Sequence, residues 1–307
     1  MPGITVILAN KANRVGTPGN AFGVQFYRWC LAAAIALTAM PAWSGLAEGM
    51  AAYDKKHYQA ALSHLRAPAL QGDAAAQTRI GLIHANGLGV PVNPLEALKW
   101  FRLAAGQNYA EAQFQLGIMH AFGHGLKQDY QAALKYYQLA ANQNYAPAQN
   151  ELGVMYDNGR GVRGDQAEAV KWYTLAAEQG YAIAQVNLGI KYDSGYGVRQ
   201  SYREAVKWFR AAADQGNASA LNNLGVMYAD GLGVTFSRAV AYALYDLSAT
   251  KDPSAANRAG SNRNTIASKM TATELDAGQV LAKQLIATTM LTKTLDAWCA
   301  EHGVKLL

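Results

Sequence analysis

The stretch that decides the fold runs from residue 148 to 181 and reads AQNELGVMYDNGRGVRGDQAEAVKWYTLAAEQGY. Its first half carries Leu152 and Tyr156 at helical spacing. Gly159-Arg160-Gly161 then interrupts the pattern, because glycine readily adopts the positive φ found just past a helix end. Asp165 opens a second helical pattern. The stretch therefore predicts two helices joined by a glycine turn.

The same pattern recurs every 36 residues. A large aliphatic residue followed by glycine returns with this period at Ile80-Gly81, Leu116-Gly117, Leu152-Gly153, Leu188-Gly189 and Leu224-Gly225. Such a period predicts stacked helix pairs that share one continuous core. Glycine inside a helix costs about 0.5–1 kcal/mol relative to alanine. Its recurrence opposite Ala176-Ala177 and the equivalent pairs indicates a close helix crossing, with Trp172 and its equivalents Trp100 and Trp208 filling the space beside it.

Residues of N-cap type stand at the start of every second helix, at Asn93, Asp129, Asp165, Ser201 and Ser237. Such side chains accept a hydrogen bond from an unpaired helix N–H. In three repeats a glutamate follows three residues later, which predicts capping boxes at Glu96, Glu168 and Glu204. Capping therefore accounts for the regularly spaced carboxylates without a catalytic role.

Both ends of the array depart from the pattern, as solenoids require atypical units to shield their last faces from water. We predict a degenerate N-terminal repeat or cap over 45–73, the regular solenoid over 74–252, C-terminal capping helices over 253–287 and a tail helix over 288–307. Thr271 and Glu274 predict a capped helix start, and residues 255–269 predict one longer helix because they lack the glycine turn.

These residues together carry a family resemblance. The pattern A-x-Q-x-x-L-G-x-x-Y-x-x-G-x-G-V-x-x-D-x-x-x-A-x-x-W-Y-x-x-A-A-x-x-G resembles the Sel-one-like repeat, a relative of the tetratricopeptide repeat, and residues 148–181 match it nearly throughout. The resemblance implies an all-α fold, a right-handed α/α superhelical solenoid of about five 36-residue helix-pair repeats with degenerate capping helices at both ends. It also implies an adaptor or regulator that binds other proteins, and many bacterial members of the family are exported.

Residues 1–44 have the pattern of a secretory signal. Arg28 closes a basic region, and WCLAAAIALTAM, residues 29–40, has the length of a signal's apolar core. A membrane span needs roughly 20 apolar residues, so this run is too short. Small residues in Ala42-Trp43-Ser44 predict cleavage before Gly45, and hence a periplasmic or secreted protein with no stable membrane span after signal removal. The alternative is a retained anchor or a buried helix.

The net charge gives no support for nucleic acid as a partner. Three of the 27 basic residues and none of the 21 acidic residues precede residue 45, so the mature chain would carry a net charge of only +3. Loss of Cys30 with the signal would leave Cys299 alone, and the fold would then rest on packing without an intramolecular disulfide. We expect Cys299 to be an inert thiol beside Trp298; the alternative is a mixed or intermolecular disulfide.

No motif predicts catalysis, a cofactor or a metal. Residues 159–164 spell G-x-G-x-x-G, but a helix precedes them and the sister repeats lack the third glycine, so we interpret them as the repeat turn. His120 and His124 have a spacing that can chelate a metal. Because His84 lies one repeat before His120, we expect both to replace the tyrosine of the repeat in packing. H-E-x-x-H, G-x-S-x-G and P-loop motifs do not occur.

The variable residues of the first helices are where binding specificity can reside. If first helices line the concave side, as in related solenoids, their i, i+4, i+7 face forms a mixed polar and methionine-rich groove that suits a peptide or protein partner. Repeat by repeat, this face consists of Arg79, Ile83, Asn86; Gln115, Met119, Phe122; Glu151, Met155, Asn158; Asn187, Lys191, Ser194; and Asn223, Met227, Asp230. The alternative is a solvated or partly packed face without a ligand.

The sequence therefore predicts an exported, non-catalytic interaction module that docks a partner segment in this groove. A polysaccharide-associated module of the cell envelope is the alternative, because the tyrosine and asparagine content permits sugar stacking and hydrogen bonding. Hydrolase activity, suggested for cysteine-rich relatives, is a distant alternative, since this chain lacks their disulfides.

Overall fold

The computed structural model describes residues 45–254 and 257–307, so the predicted signal lies outside the described residues. The chain divides into two compact units after Ile80. Within the described ranges, no helix is both long enough and apolar enough to cross a membrane.

The first unit, described from residue 45 to Ile80, begins with a helix pair. Its helices are α1 (45–54), α2 (Tyr58–Leu70) and the beginning of α3 (Ala74–Asn86). α1 and α2 cross closely at Gly49, where a Cβ would lie only 2.6 Å from Leu65 Cγ. Gln77 on α3 donates from Nε2 to the carbonyl of Ala69 at 2.9 Å, which holds α3 against the end of α2.

The second unit, residues 81–307, continues as alternating first and second helices of the repeats. After α3 they are α4 (Pro94–Gly106), α5 (Ala110–Phe122), α6 (Tyr130–Ala141), α7 (Ala146–Asn158), α8 (Gln166–Glu178), α9 (Ala182–Ser194), α10 (Tyr202–Asp214), α11 (Ala218–Asp230) and α12 (Arg238–Lys251). Odd numbers are first helices and even numbers are second helices. From α5 onward, each first helix packs on the second helix of its own repeat and on that of the repeat before. This arrangement is an α/α solenoid, as predicted.

The predicted N-caps are confirmed at the start of all five second helices. Asp129, for example, accepts the backbone N–H of Ala132 through Oδ1 at 3.0 Å. The same bond forms at the four other predicted caps. The predicted capping boxes are wrong, because the three glutamate carboxylates bind the lysine three residues on instead: Glu96–Lys99, Glu168–Lys171 and Glu204–Lys207. The cap N–H groups are not available to the glutamates, because those of Asn93, Asp165 and Ser201 already donate to the carbonyls of His84, Tyr156 and Tyr192 at 2.8–2.9 Å.

The glycine inside each first helix faces an aromatic ring of the second helix. A Cβ on Gly153 would lie 2.5 Å from Tyr173 Cε1, and the other four repeat glycines meet Phe101, Tyr137, Phe209 and Tyr245 in the same way. The predicted close crossing is confirmed. The ring that fills it belongs to the residue after Trp172, because consecutive helical residues point about 100° apart. Trp172 itself lies half-buried to one side.

The regular spacing of glutamines within the repeats is structural. Gln179 donates from Nε2 to Gln149 Oε1 at 2.6 Å, and Gln215 donates to Gln185 in the next repeat at 2.9 Å. Gln185 in turn donates to the carbonyl of Ala177 at 3.1 Å. This bond and the one from Gln149 to the carbonyl of Ala141 satisfy backbone carbonyls at the C-terminal ends of α8 and α6. These buried glutamines are therefore engaged within the fold.

The C-terminal part departs from the predicted helices. It contains α13 (Ala259–Ala267), α14 (Ala272–Ala287) and α15 (Leu291–Glu301). The predicted long helix over 255–269 is wrong, because the Asn257 amide donates to the carbonyls of Ser248 and Asp252 at 3.0 and 2.9 Å and turns the chain before α13 starts. A complete capping box joins Thr271 and Glu274 at the start of α14, as predicted.

The cysteine within the described residues lies in the core. Cys299 and Trp298 on α15 belong to the buried cluster that includes α11 and α12. Burial raises the pKa of the Cys299 thiol to about 11, so it stays protonated at neutral pH and is a poor nucleophile. This agrees with the expectation of an inert thiol.

The glycine–ring contact predicts the effect of one added methyl group. We expect Gly153→Ala to destabilise the fold by about 1–3 kcal/mol, because the new Cβ overlaps the Tyr173 ring. Gly106→Ala is the matched control, since a Cβ there meets no atom within 4 Å. It should leave the midpoint of urea unfolding unchanged or raise it slightly. Equal midpoints for the two variants would contradict this packing.

Candidate binding surface

The predicted methionine-rich groove is wrong in its central row. Ile83, Met119, Met155 and Met227 are at most 4% exposed, and they form part of the core. Lys191, at the same position of the fourth repeat, is also buried. The i+4 residue is turned toward the neighbouring helices, so methionine side chains do not line an open groove here.

A more accessible row lies one residue earlier, at i+3, although Ile118, Val154 and Val226 also pack in part against the core. There each repeat carries an aliphatic side chain that is half-buried or exposed: Leu82, Ile118, Val154, Ile190 and Val226. Sequence reasoning missed this row, although each member directly follows the repeat glycine. With i+3 in place of i+4, the accessible side of the first helices is an aliphatic row bordered by polar residues at i and i+7. We call the residues at i, i+3 and i+7 of α5, α7, α9 and α11 the first-helix face.

The other predicted groove residues keep their accessibility. Arg79, Gln115, Glu151, Asn187 and Asn223 are half-buried, and the helix-end residues Asn86, Phe122, Asn158, Ser194 and Asp230 are exposed. Phe122 is the largest apolar side chain among them and is 62% exposed. Its ring stacks on His124 with 5.8 Å between the centroids.

A chain of amides leads to a carboxylate on the first-helix face. Asn187 on α9 donates from Nδ2 to Asn150 Oδ1 on α7 at 2.9 Å, and Asn150 donates to Glu151 Oε1 at 3.0 Å. Burial raises the pKa of Glu151, and the Asn150 bond only partly offsets it. Among the described residues, no ion pair involves this carboxylate. The surface thus holds a half-buried negative charge without a counter-charge.

A second polar group lies behind this face, between the third and fourth repeats. Lys191 Nζ lies 2.6 Å from Asp157 Oδ1 and 2.7 Å from Gln166 Oε1. The preceding repeat has Ala121 and Met155 at the two equivalent positions, within one apolar cluster. The ion pair therefore replaces an ordinary core contact at one interface of the array.

At the next interface of the array, the aspartate of this pair is present but the lysine is not. Asp193 is equivalent to Asp157, but Met227 stands where the lysine would be. Burial raises the pKa of Asp193, and no ion pair of the described chain involves it. Asp193 is therefore a second half-buried carboxylate that the protein leaves uncompensated.

The histidines take the positions expected of them. His84 and His120 stand where Tyr156 and later repeats have tyrosine. The His120 ring stacks on Tyr136 with 5.4 Å between centroids, and desolvation lowers the pKa of His120. In the part of the chain that the structure describes, no cluster of three or more histidine, cysteine or acidic side chains could hold a metal.

The buried ion pair predicts strong non-additivity. Lys191→Met or Asp157→Ala alone should destabilise the fold by about 3–5 kcal/mol, because each change leaves the other charge of the pair without its counter-charge. The double variant recreates the Ala121–Met155 contact and should recover most of that loss. Chemical unfolding of the four proteins measures the coupling, and additive effects would contradict it.

Glu151 predicts a pH-dependent stability. Its pKa is raised in the folded protein, so the ionised form carries a burial cost that disappears as the pH falls below the ordinary value of 4.5. Glu151→Gln, which has a natural precedent in Gln115, should therefore raise the melting temperature at pH 7. The difference should shrink toward zero at pH 4. A lower melting temperature at pH 7 would contradict the assignment.

Comparison with known proteins places this solenoid in a family. None of the curated proteins matches the chain significantly. The crystal structure of a protective antigen present in uropathogenic Escherichia coli strains, displaying an SLR fold, is 32% identical, with a TM-score of 0.70 over 80% of this chain and 51% of that one. The chain thus spans about half the length of that relative. A Sel1 repeat protein from Oxalobacter formigenes is 35% identical, with a TM-score of 0.62 over 68% of this chain and 83% of that one. The Sel1 repeat family matches residues 74–109, 110–145, 146–181, 182–217 and 218–253. The chain belongs to the Sel1 repeat family.

Proposed function

We propose that the protein is an exported, non-catalytic interaction module whose first-helix face binds a partner segment with a basic side chain. The observation that carries this proposal is the half-buried Glu151 carboxylate, which has an amide neighbour but no counter-charge. Sel1 repeats generally serve as protein-interaction modules, and the proposal adds the face and the chemistry of the partner.

The apolar part of the contact would come from the aliphatic row. Ile118, Val154 and Ile190 leave part of their surface open to solvent on consecutive first helices. Covering such surface contributes about 25 cal/mol per Å² of apolar area. A partner segment laid along this row would bury its own apolar side chains against it, as in other peptide-binding grooves.

The charged part of the contact would come from Glu151. Its carboxylate is partly removed from water, and burial raises its pKa. A lysine or arginine of the partner would supply the missing counter-charge, and a charge-assisted hydrogen bond in such a site is stronger than a neutral one. The same carboxylate would reject an acidic segment, because like charges brought together cost free energy.

Export is supported by the signal pattern of residues 1–44, which lie outside the described residues. An envelope location would bring the module together with secreted or periplasmic partners. The proposed mechanism is reversible docking without covalent chemistry.

The polysaccharide alternative has one specific observation in its favour. Phe122 and Tyr196 are 62% and 65% exposed, and Phe122 already stacks on His124. Exposed rings of this kind can stack on sugar faces. Binding of the purified protein to neutral glycans that is lost in Phe122→Ala would favour this alternative.

A matched pair of surface variants tests the first-helix face. Ile190 on α9 and Leu175 on α8 are 43% and 44% exposed, so a lysine at either position should cost similar stability. We expect proteins captured from an envelope extract by the wild type to be captured by Leu175→Lys as well. Ile190→Lys should fail to capture these proteins. Glu151→Gln should capture smaller amounts of them, because the carboxylate that pairs with the partner's basic side chain is gone.

The set of captured proteins decides the outcome. Recovery of the same proteins in equal amounts by all four baits would show that the first-helix face is not the binding site. Loss with both lysine variants would point to a contact that involves the second helices instead.

A further inference from the structure

The last residues of the chain run extended and form a single β-bridge with the turn of the fifth repeat. After α15, Leu306 pairs with Val234 in an antiparallel bridge. The Thr235 N–H donates to the carbonyl of Lys305 at 2.8 Å, and the Leu307 N–H donates to the carbonyl of Gly233 at 3.0 Å. The Lys305 N–H also donates to Thr235 Oγ1 at 3.1 Å. We call residues 304–307 the tail strand.

The C-terminal segment also covers apolar surface at this turn. Val234 is 0% exposed and Val206 on α10 is 3% exposed, and both belong to the buried cluster that contains Trp298 on α15. Leu306 borders a cavity of about 260 Å³ that Val206 and Gly233 also line. The Leu306 side chain therefore does not fill the groove between α10 and the turn.

The second, third and fourth repeats present the same turn uncovered. Their second turn glycines, Gly125, Gly161 and Gly197, have φ values of 73°, 67° and 78°, against 69° for Gly233. Where Val234 is fully buried, the equivalent residues Leu126, Val162 and Val198 are only half-buried. The turns thus share the left-handed conformation of this glycine and differ in whether the C-terminal segment covers them.

The main-chain groups that hold the tail strand are free in these three repeats. The N–H groups equivalent to that of Thr235 belong to Lys127, Arg163 and Arg199. The carbonyls equivalent to that of Gly233 belong to Gly125, Gly161 and Gly197. Within the described ranges, none of these groups makes a hydrogen bond to the chain. The turns of the third and fourth repeats also have an accessible aliphatic floor, because Leu134 and Val170, equivalent to Val206, are half-buried. Leu98, at the same position beneath the turn of the second repeat, is buried.

The rim of these turns is basic. Lys127, Arg163 and Arg199 are exposed. On the neighbouring second helices, Lys135 and Lys171 are exposed as well. Lys171 pairs with Glu168, whereas the equivalent partner position of Lys135 is Ala132, so Lys135 lacks this glutamate. The fifth repeat has the neutral Thr235 at this position, and its strand carries Lys305. The charge of the open turns therefore favours a segment with acidic side chains.

We propose that the turns at residues 125–127, 161–163 and 197–199 bind extended segments of a partner protein, each with an aliphatic side chain beside an acidic one, by the strand addition that the tail strand makes at the fifth repeat. Main-chain bonds to the turn hold the segment, and the aliphatic side chain enters the groove over Leu134 or Val170. This surface is separate from the first-helix face, so the proposal does not depend on the function proposed above.

The probe is a short peptide that copies the tail strand with one change. It has the sequence of residues 303–307 with Lys305→Glu and with both ends blocked, and a second peptide carries Lys305→Gln. Titration into the purified, ¹⁵N-labelled protein should shift the amide resonances of Lys127, Arg163 and Arg199. The acidic peptide should bind at least threefold more tightly than the neutral one at low salt, and the difference should fall as salt is added.

Two triple variants separate the main-chain bonds from the charge. Lys127→Pro, Arg163→Pro and Arg199→Pro together remove the N–H groups, and Pro91 at the equivalent position of the first repeat shows that the turn accepts proline. Changing the same three residues to alanine removes the charge and keeps the N–H. The neutral peptide should bind the alanine variant as it binds the wild type and should bind the proline variant at least tenfold more weakly.

Equal binding of the neutral peptide to the two variants would overturn strand addition. Resonance shifts confined to α5, α7 and α9, or tighter binding of the unchanged tail sequence than of the acidic peptide, would overturn the assigned surface or the acidic partner. Circular dichroism of each variant confirms that it remains folded.

Discussion

The close contact between a helix glycine and an aromatic ring sets the geometry of the whole array. At Gly153 the helix backbone rests on the Tyr173 ring, and each repeat has the same contact. In every repeat a Cβ at this glycine would come within 2.4–2.7 Å of the ring, so glycine is what allows the two helices to cross this closely. Because the repeats are 36 residues apart, equivalent side chains recur along the first helices. The N-caps and buried glutamines finish the helix ends without disturbing this spacing.

A periodic core makes single departures informative. Lys191 and Asp157 place an ion pair where the preceding repeat has methionine and alanine. Asp193 has the aspartate without the lysine, and Glu151 has a carboxylate where the other repeats are neutral or, in the first repeat, basic. Such groups cost stability unless they find partners. The repeat can carry them because neighbouring repeats supply stability, so charged positions on the face can vary while the core stays constant.

The tail strand shows that main-chain groups of a turn, as well as side chains, can hold an extended segment in this fold. In the fifth repeat the C-terminal segment pairs with the Thr235 N–H and the Gly233 carbonyl of the glycine turn. The equivalent groups of the second to fourth repeats make no hydrogen bond within the described part of the chain. A solenoid therefore offers two kinds of surface: rows of variable side chains on the first helices and rows of main-chain groups at the turns. We propose that the first selects a partner by charge and shape, and that the second binds an extended segment with an aliphatic and an acidic side chain.

The sequence by itself determined the repeat, its two helices, the glycine turn, the N-caps and the structural role of His84 and His120, because each depends on local chain chemistry or on the period. Only the tertiary structure decided which residues of a first helix are exposed. A period identifies equivalent positions, but the rotation of a helix about its axis follows from what it packs against, and an error of one residue exchanged Met155 for Val154. Tertiary packing likewise decided that the ring of Tyr173, and not that of Trp172, faces Gly153. It also decided that the glutamates pair with lysines and not with the caps, and that Leu306 forms a β-bridge with Val234.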